Sequence, residues 1–201
     1  MADWQRTHAL IVVDVQQGFD EPCWGRRNNP ACESNIVALV AAWRERQWPV
    51  VFVRHDSRNP TAPLSPAGPG NALKAVLGGE PDLLVAKQTN SAFYGTPDLH
   101  AWLQQRGLDA VSICGITTNH CCETTARMAG NLGYETKFVI DATHTFDRQD
   151  LGGEWVSADE LTRITAANLN GEFATVLATG QVLAALTPGR DGPRRLGRTD
   201  R

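Results

Sequence analysis

The sequence has no long hydrophobic run. Its longest apolar stretch near the N-terminus is Ala9 to Val13, and Asp14 follows directly. Such a stretch is too short for a signal-peptide core or a bilayer span, so a cytoplasmic protein without membrane contact is expected. Charge of one sign is also lacking. A net charge of -3 provides no field that would gather nucleic acid or an anionic surface. Five cysteines are an odd count without an export signal, which argues for reduced thiols and against a disulfide framework. No four-ligand zinc spacing exists, since Cys121 and Cys122 are adjacent and Cys23 and Cys32 stand apart in a loop-like stretch. The first apolar run leads into Gln16-Gln17-Gly18, not into a G-x-G-x-x-G or P-loop phosphate cradle. Lysine is scarce: Lys74, Lys87 and Lys137 are its only occurrences, so a lysine at a strand end is unlike surface filler. These absences point to a small molecule as the partner.

The chain has 201 residues, 42% of them hydrophobic, enough for one α/β domain with a full core. His8 to Val15 reads as a strand buried on both faces. Asn29-Pro30 offers an N-cap and a first-turn proline, and Ile36, Leu39, Val40 and Trp43 follow at helical spacing until Pro49. Further strands are expected at 50–53, 83–86, 110–114, 136–140 and 173–177, and the Pro, Ser and Gly-rich stretch 58–70 reads as a surface loop. Between the strands lie a helix opened by Thr96-Pro97-Asp98 and closed by Gly107, one from about 119 to 132, one with a Ser157/Glu160 capping box, and a short last one ended by Pro188. This alternation predicts a three-layer, Rossmann-like α/β fold: a mostly parallel six-stranded sheet with helices on both faces. Residues 1–188 would form the domain. Residues 189–201, rich in Arg and Gly and almost free of apolar side chains, are expected to be a disordered tail.

In such sheets ligands bind at the carboxyl ends of the strands. Asp14, Lys87 and the segment Thr117 to Cys121 each fall at or just past the end of a different strand. A cysteine in the first turn of a helix feels unpaired N–H groups and the helix dipole, which favour the thiolate, and Thr118 or Asn119 could cap that turn. A carboxylate can take a thiol proton and return it to a leaving amine, and an ammonium holds the charges together. Asp14 and Lys87 suit these roles. Each residue also has an ordinary reading, as a turn former, a solvated charge or a small core residue, and helical periodicity does not separate Cys121 from Cys122.

Three ordered motifs carry a resemblance: Asp14-Val-Gln-Gln-Gly-Phe19, Lys87 followed by Ser91-Ala92-Phe93, and Gly115-Ile-Thr-Thr118-Asn-His-Cys121-Cys-Glu-Thr-Thr125. Together, over about residues 9–186, they resemble the isochorismatase-like cysteine hydrolases. The resemblance implies Asp14 as acid/base, Lys87 as electrostatic partner and Cys121 as nucleophile, with Cys122 where that family usually has valine. It implies a cis peptide before Thr117, and an oxyanion hole from the backbone N–H groups of Thr117 and Cys121. The name-giving isochorismatases lack the cysteine and cleave a vinyl ether. Cys121 therefore favours an amide substrate, cut without a cofactor, over C–O cleavage or a catalytically silent interaction protein. Nicotinamidases of this family add a metal held by an aspartate and paired histidines. Only His55 and Asp56 stand in that region here, so no metal is expected. The resemblance also implies a homodimer or homotetramer. His120 is read as a pocket-wall or surface residue, because helix neighbours do not face one another. Phe19, Trp24, Phe93, Tyr94 and Trp155 are the aromatic side chains expected around a substrate pocket.

Overall fold

The computed structural model of the chain describes residues 4 and 6–187. The expected tail, 189–201, lies outside the described residues. The chain runs β1 (Ala9–Val13), α1 (Cys32–Glu45), β2 (Val50–His55), β3 (Leu83–Lys87), α2 (Leu99–Gln105), β4 (Ala110–Ile116), α3 (Glu123–Asn131) and β5 (Glu135–His144). A small hairpin, β6 (Arg148–Gln149) and β7 (Trp155–Val156), precedes α4 (Ala158–Leu169), β8 (Thr175–Leu177) and α5 (Thr179–Leu186). Six strands form one sheet in the order β3-β2-β1-β4-β5-β8, every neighbouring pair parallel.

The apolar runs read as strands alternate between two cores. Leu10, Val12, Val50 and Phe52 face Ile36, Leu39 and Trp43 of α1 and Val182 of α5. Ala9, Ile11, Val13, Val51 and Val53 face Leu99 and Leu103 of α2, Ala126 and Ala129 of α3 and Leu169 of α4. A strand covered on both sides must be apolar at both parities, which is why β1 reads Ala-Leu-Ile-Val-Val with no polar alternation. At the centre of the sheet β1 and β4 come unusually close. A Cβ on Gly115 would stand 2.0 Å from the carbonyl oxygen of Val13, and its φ is +129°. Only glycine fits there, and the register of β4 against β5 shifts at the same point.

The structure departs from expectation in local detail. Asn29 does not cap α1. Its φ is +46° and its side-chain amide donates to the carbonyls of Asp141 and Thr143, tying the loop before α1 to the end of β5. Ala31 precedes the helix, with no side-chain cap. The strand expected from Phe173 begins at Thr175, and the one expected at 136–140 runs on to His144. The β6/β7 hairpin was unforeseen, because two-residue strands leave no periodicity to read. Asp98 and Ser157 cap α2 and α4 through their side chains, as expected. No helix among the described residues is long and apolar enough to cross a membrane.

Candidate active site

Four strand ends converge at one edge of the sheet. Asp14 follows β1 with φ +51°, His55 ends β2, Lys87 ends β3, and the cis peptide between Ile116 and Thr117 turns the chain out of β4, at the position the resemblance implies. Lys87 lies two strands from β1, a span of ~10 Å, with His55 its register partner on the strand between. A long flexible side chain can cross that gap. Its ammonium reaches 2.6 Å from Asp14 Oδ2, 3.3 Å from Cys121 Sγ and 3.3 Å from His55 Nδ1. The side chains of Asp14 and Lys87 are fully buried, and Cys121 is 7% exposed. The second carboxylate oxygen, Oδ1 of Asp14, is buried, and the carboxylate also interacts with the Cys121 side chain.

The backbone around Cys121 corrects the expected helix start. Residues Thr118–Cys122 form one π-helical turn before α3, and both His120 N–H and Cys122 N–H donate to the Thr117 carbonyl. Neither expected cap residue caps. The Thr118 hydroxyl donates to Thr143 Oγ1, and Asn119 Oδ1 accepts from the Thr145 hydroxyl, so both side chains tie the turn to the end of β5. Cys122 is fully buried in the α2/α3 core, whereas the Cys121 thiol stands beside the ammonium and 3.8 Å from Asn90 Oδ1. Tertiary placement thus separates two neighbours that periodicity could not.

The electrostatics include a contribution from burial that opposes the helix-terminus argument for a thiolate. Burial pushes the Cys121 thiol well above its ordinary pKa, the Asp14 carboxylate adds to this, and Lys87 offsets only part. Burial also raises Asp14 above the usual carboxylate range despite the opposing ammonium, which makes it a better proton acceptor. Burial works against the Lys87 charge as well, but the neighbouring Asp14 and Cys121 outweigh it and raise its pKa. His55 is pushed below its ordinary value by burial and by Lys87, which disfavours a charged ring.

Asp14, His55 and Cys121 offer one ligand atom each within 4.8 Å of one another. The Lys87 ammonium stands among all three, within 3.3 Å of each side chain, so a cation already occupies the place a metal ion would take. Asp56, the other acid of that region, is engaged by Arg54 at 2.8 Å and by Asn71.

The expected pocket aromatics do not form one wall. Phe19 is buried, 5.1 Å from Trp24 and 6.2 Å from Phe146 between ring centroids. Trp24 stacks on Phe146 and shares a surface hollow with the exposed Trp155 of β7. Phe93 stacks on Tyr134, and Tyr94 is exposed. His120 is partly buried, with Nδ1 3.4 Å from the Arg148 guanidinium.

Sequence reasoning missed Gln16. Fully buried two residues after Asp14, its side-chain amide accepts from His55 N–H at 2.8 Å and donates to His55 C=O at 3.0 Å, copying a strand's hydrogen bonding beyond the end of β1. The signal available was a glutamine directly after a buried strand, where a solvated residue is the ordinary expectation.

The isochorismatase domain model matches residues 8–177. The isochorismatase family protein YrdC of Bacillus subtilis (strain 168) is 39% identical over 87% of this chain and 94% of its own length. Nicotinamidase 3 of Arabidopsis thaliana is 32% identical over 83% of this chain and 82% of its own. Among solved structures, an isochorismatase-family protein from Chromobacterium violaceum ATCC 12472 superposes with a TM-score of 0.87 at 40% identity, covering 92% of this chain and 96% of that one. The domain match and the fold agree over nearly the whole described chain, and the protein belongs to the isochorismatase family of hydrolases.

Proposed function

We propose that this hydrolase cleaves the C–N bond of a small-molecule amide through a thioester on Cys121, with Asp14 as acid/base and Lys87 as the charge that holds the two together. One observation carries the reading: a nearly buried thiol beside an ammonium that also pairs with a fully buried carboxylate. As Sγ bonds to the carbonyl carbon, its proton passes to Asp14 Oδ1, and the oxyanion is met by the N–H groups of Thr117 and Cys121. Asp14 then protonates the departing amine as the C–N bond breaks. Water, deprotonated by Asp14, attacks the thioester, and the carboxylic acid leaves as the thiol regains its proton. Lys87 keeps its charge throughout and balances the negative charge as it moves from carboxylate to sulfur to oxygen. No step calls for a cofactor. Similarity to a nicotinamidase adds support for an amide substrate. Five unpaired cysteines support a reducing, cytoplasmic setting.

The test is a panel of carboxamides, carbamoyl compounds and cyclic amides, with released amine and carboxylate both measured and the acyl-enzyme trapped by acid quench. A covalent adduct on Cys121 of the acyl mass is expected. Turnover of a vinyl ether with no amide cleaved, or amide turnover that survives in Cys121→Ala, would overturn the reading.

A further inference from the structure

An ammonium has three N–H donors and no acceptor. In Lys87 the first meets Asp14 Oδ2 and the second Cys121 Sγ. The side chain is fully buried, so the third must find a protein acceptor or remain unsatisfied at the cost of a buried charged donor. His55 Nδ1 is 3.3 Å away. We propose that His55 is a positioning residue, holding the Lys87 ammonium between carboxylate and thiol by accepting its third N–H at Nδ1. This rests on the reading of Lys87 as the group that balances charge on Cys121.

His55 is built to stay in place. It is the register partner of Lys87 across β2 and β3, so both side chains leave the sheet at the same level. Its backbone N–H and C=O are both gripped by the Gln16 amide, and the C=O also accepts from the Asn71 side chain. Gln16 lies two residues beyond Asp14, so one short segment carries the base and fixes the frame of the histidine. The role demands one tautomer. Nδ1 must offer its lone pair, which leaves the proton on Nε2. The charged groups that bear on the ring are Lys87, Asp14 and Asp56. A protonated His55 would turn an N–H toward the ammonium and break the arrangement.

Two measurements on the full chain test this, neither needing hydrolytic turnover. In nitrogen-proton correlation spectra of the native protein at neutral pH, His55 should be neutral with its proton on Nε2. A proton on Nδ1 would overturn the proposal. The second is the rate of Cys121 modification by iodoacetamide against pH, mapped by fragment ions to separate it from Cys122. In His55→Leu the profile should move up by ~1 pH unit, or about tenfold slower near neutrality, because Lys87 is held less well as an ammonium. His55→Asn, whose Oδ1 can accept in place of Nδ1, should recover most of the native rate. A His55→Leu profile that overlies the native one, or His55→Asn no better than His55→Leu with both melting like the native chain, rejects the role. If the variants do not fold, the tautomer decides alone. A failed amide panel with these results intact would count against the hydrolytic reading and leave the positioning role standing.

Discussion

Removing one partner of the Asp14–Lys87 pair should cost far more than its bond is worth, by an amount whose dependence on pH can be worked out. The charges are 2.6 Å apart with no exposed side-chain surface. Their desolvation offsets much of the attraction, so the intact pair adds little net stability, whereas a lone buried charge is expensive, ~3–5 kcal/mol. Neutralisation caps that cost. In Asp14→Asn the buried lysine can shed its proton, which from an ordinary pKa of ~10.4 costs about 4.6 kcal/mol at pH 7. In Lys87→Met the aspartate can take one up, which from ~3.9 costs about 4.2 kcal/mol. The two penalties then move in opposite directions with pH. A folded Asp14→Asn with neutral Lys87 binds fewer protons than its unfolded chain, so its stability should recover as pH rises, by up to ~1.4 kcal/mol per unit. A folded Lys87→Met with protonated Asp14 binds more, so its stability should recover as pH falls toward 4. The double variant Asp14→Asn/Lys87→Met leaves no buried charge and should lose less than the sum of the singles by about 3 kcal/mol. Urea unfolding of the native chain and the three variants at pH 5, 7 and 9 is the assay. Additive losses, or single-variant penalties that do not change with pH, would refute a coupled buried pair.

Cys121→Ala should lower turnover of any amide found by the panel by about a thousandfold or more, while Cys122→Ala keeps most of it at a cost of about 1 kcal/mol in stability. Comparable turnover losses in both would reject the assignment. Dialysis against a strong chelator should leave turnover unchanged, since the Lys87 ammonium stands where the ligand atoms converge; activity lost and then restored by added metal would contradict this. His144, fully buried, has its pKa pushed down to about 3 by burial and then by Arg27. A histidine kept neutral contributes stability that is present above its unfolded value of ~6.5 and lost as pH falls toward 3, by up to ~1.4 kcal/mol per unit. His144→Phe should therefore flatten the fall in melting temperature between pH 6.5 and 4, and an unchanged slope would contradict the assignment.

Much of the fold was legible because burial on both faces leaves a crude mark. Strands such as Ala9–Val13 and Ala110–Ile116 are nearly all apolar, and Asp98, Ser157 and Gly133 mark helix boundaries through local chemistry that neighbours along the chain can satisfy. Local signals misled where a side chain had a better partner far away. Asn29 has the residue type of a cap but donates to carbonyls more than a hundred positions on. Thr118 and Asn119, two further cap types, bond to Thr143 and Thr145 instead.

For the site, the sequence by itself determined which chemistry was at hand: one carboxylate, one rare lysine and a cysteine pair at the ends of three different strands. It could not say which cysteine faces that edge, because Cys121 and Cys122 fit helical stripes equally well, and the π-helical turn that parts them depends on contacts with β5. It could not show how far burial opposes ionisation of the thiol either, since a local helix-dipole argument omits the burial that neighbouring strands impose. Gln16 stands inside the first motif without a role read from it, and His55 lies outside all three; both matter only because β2 lies between β1 and β3. Residue type and order along a strand are local properties that the chain carries alone. Strand order, burial and the meeting of an ammonium with three acceptors are long-range properties, and they exist only once the sheet has closed.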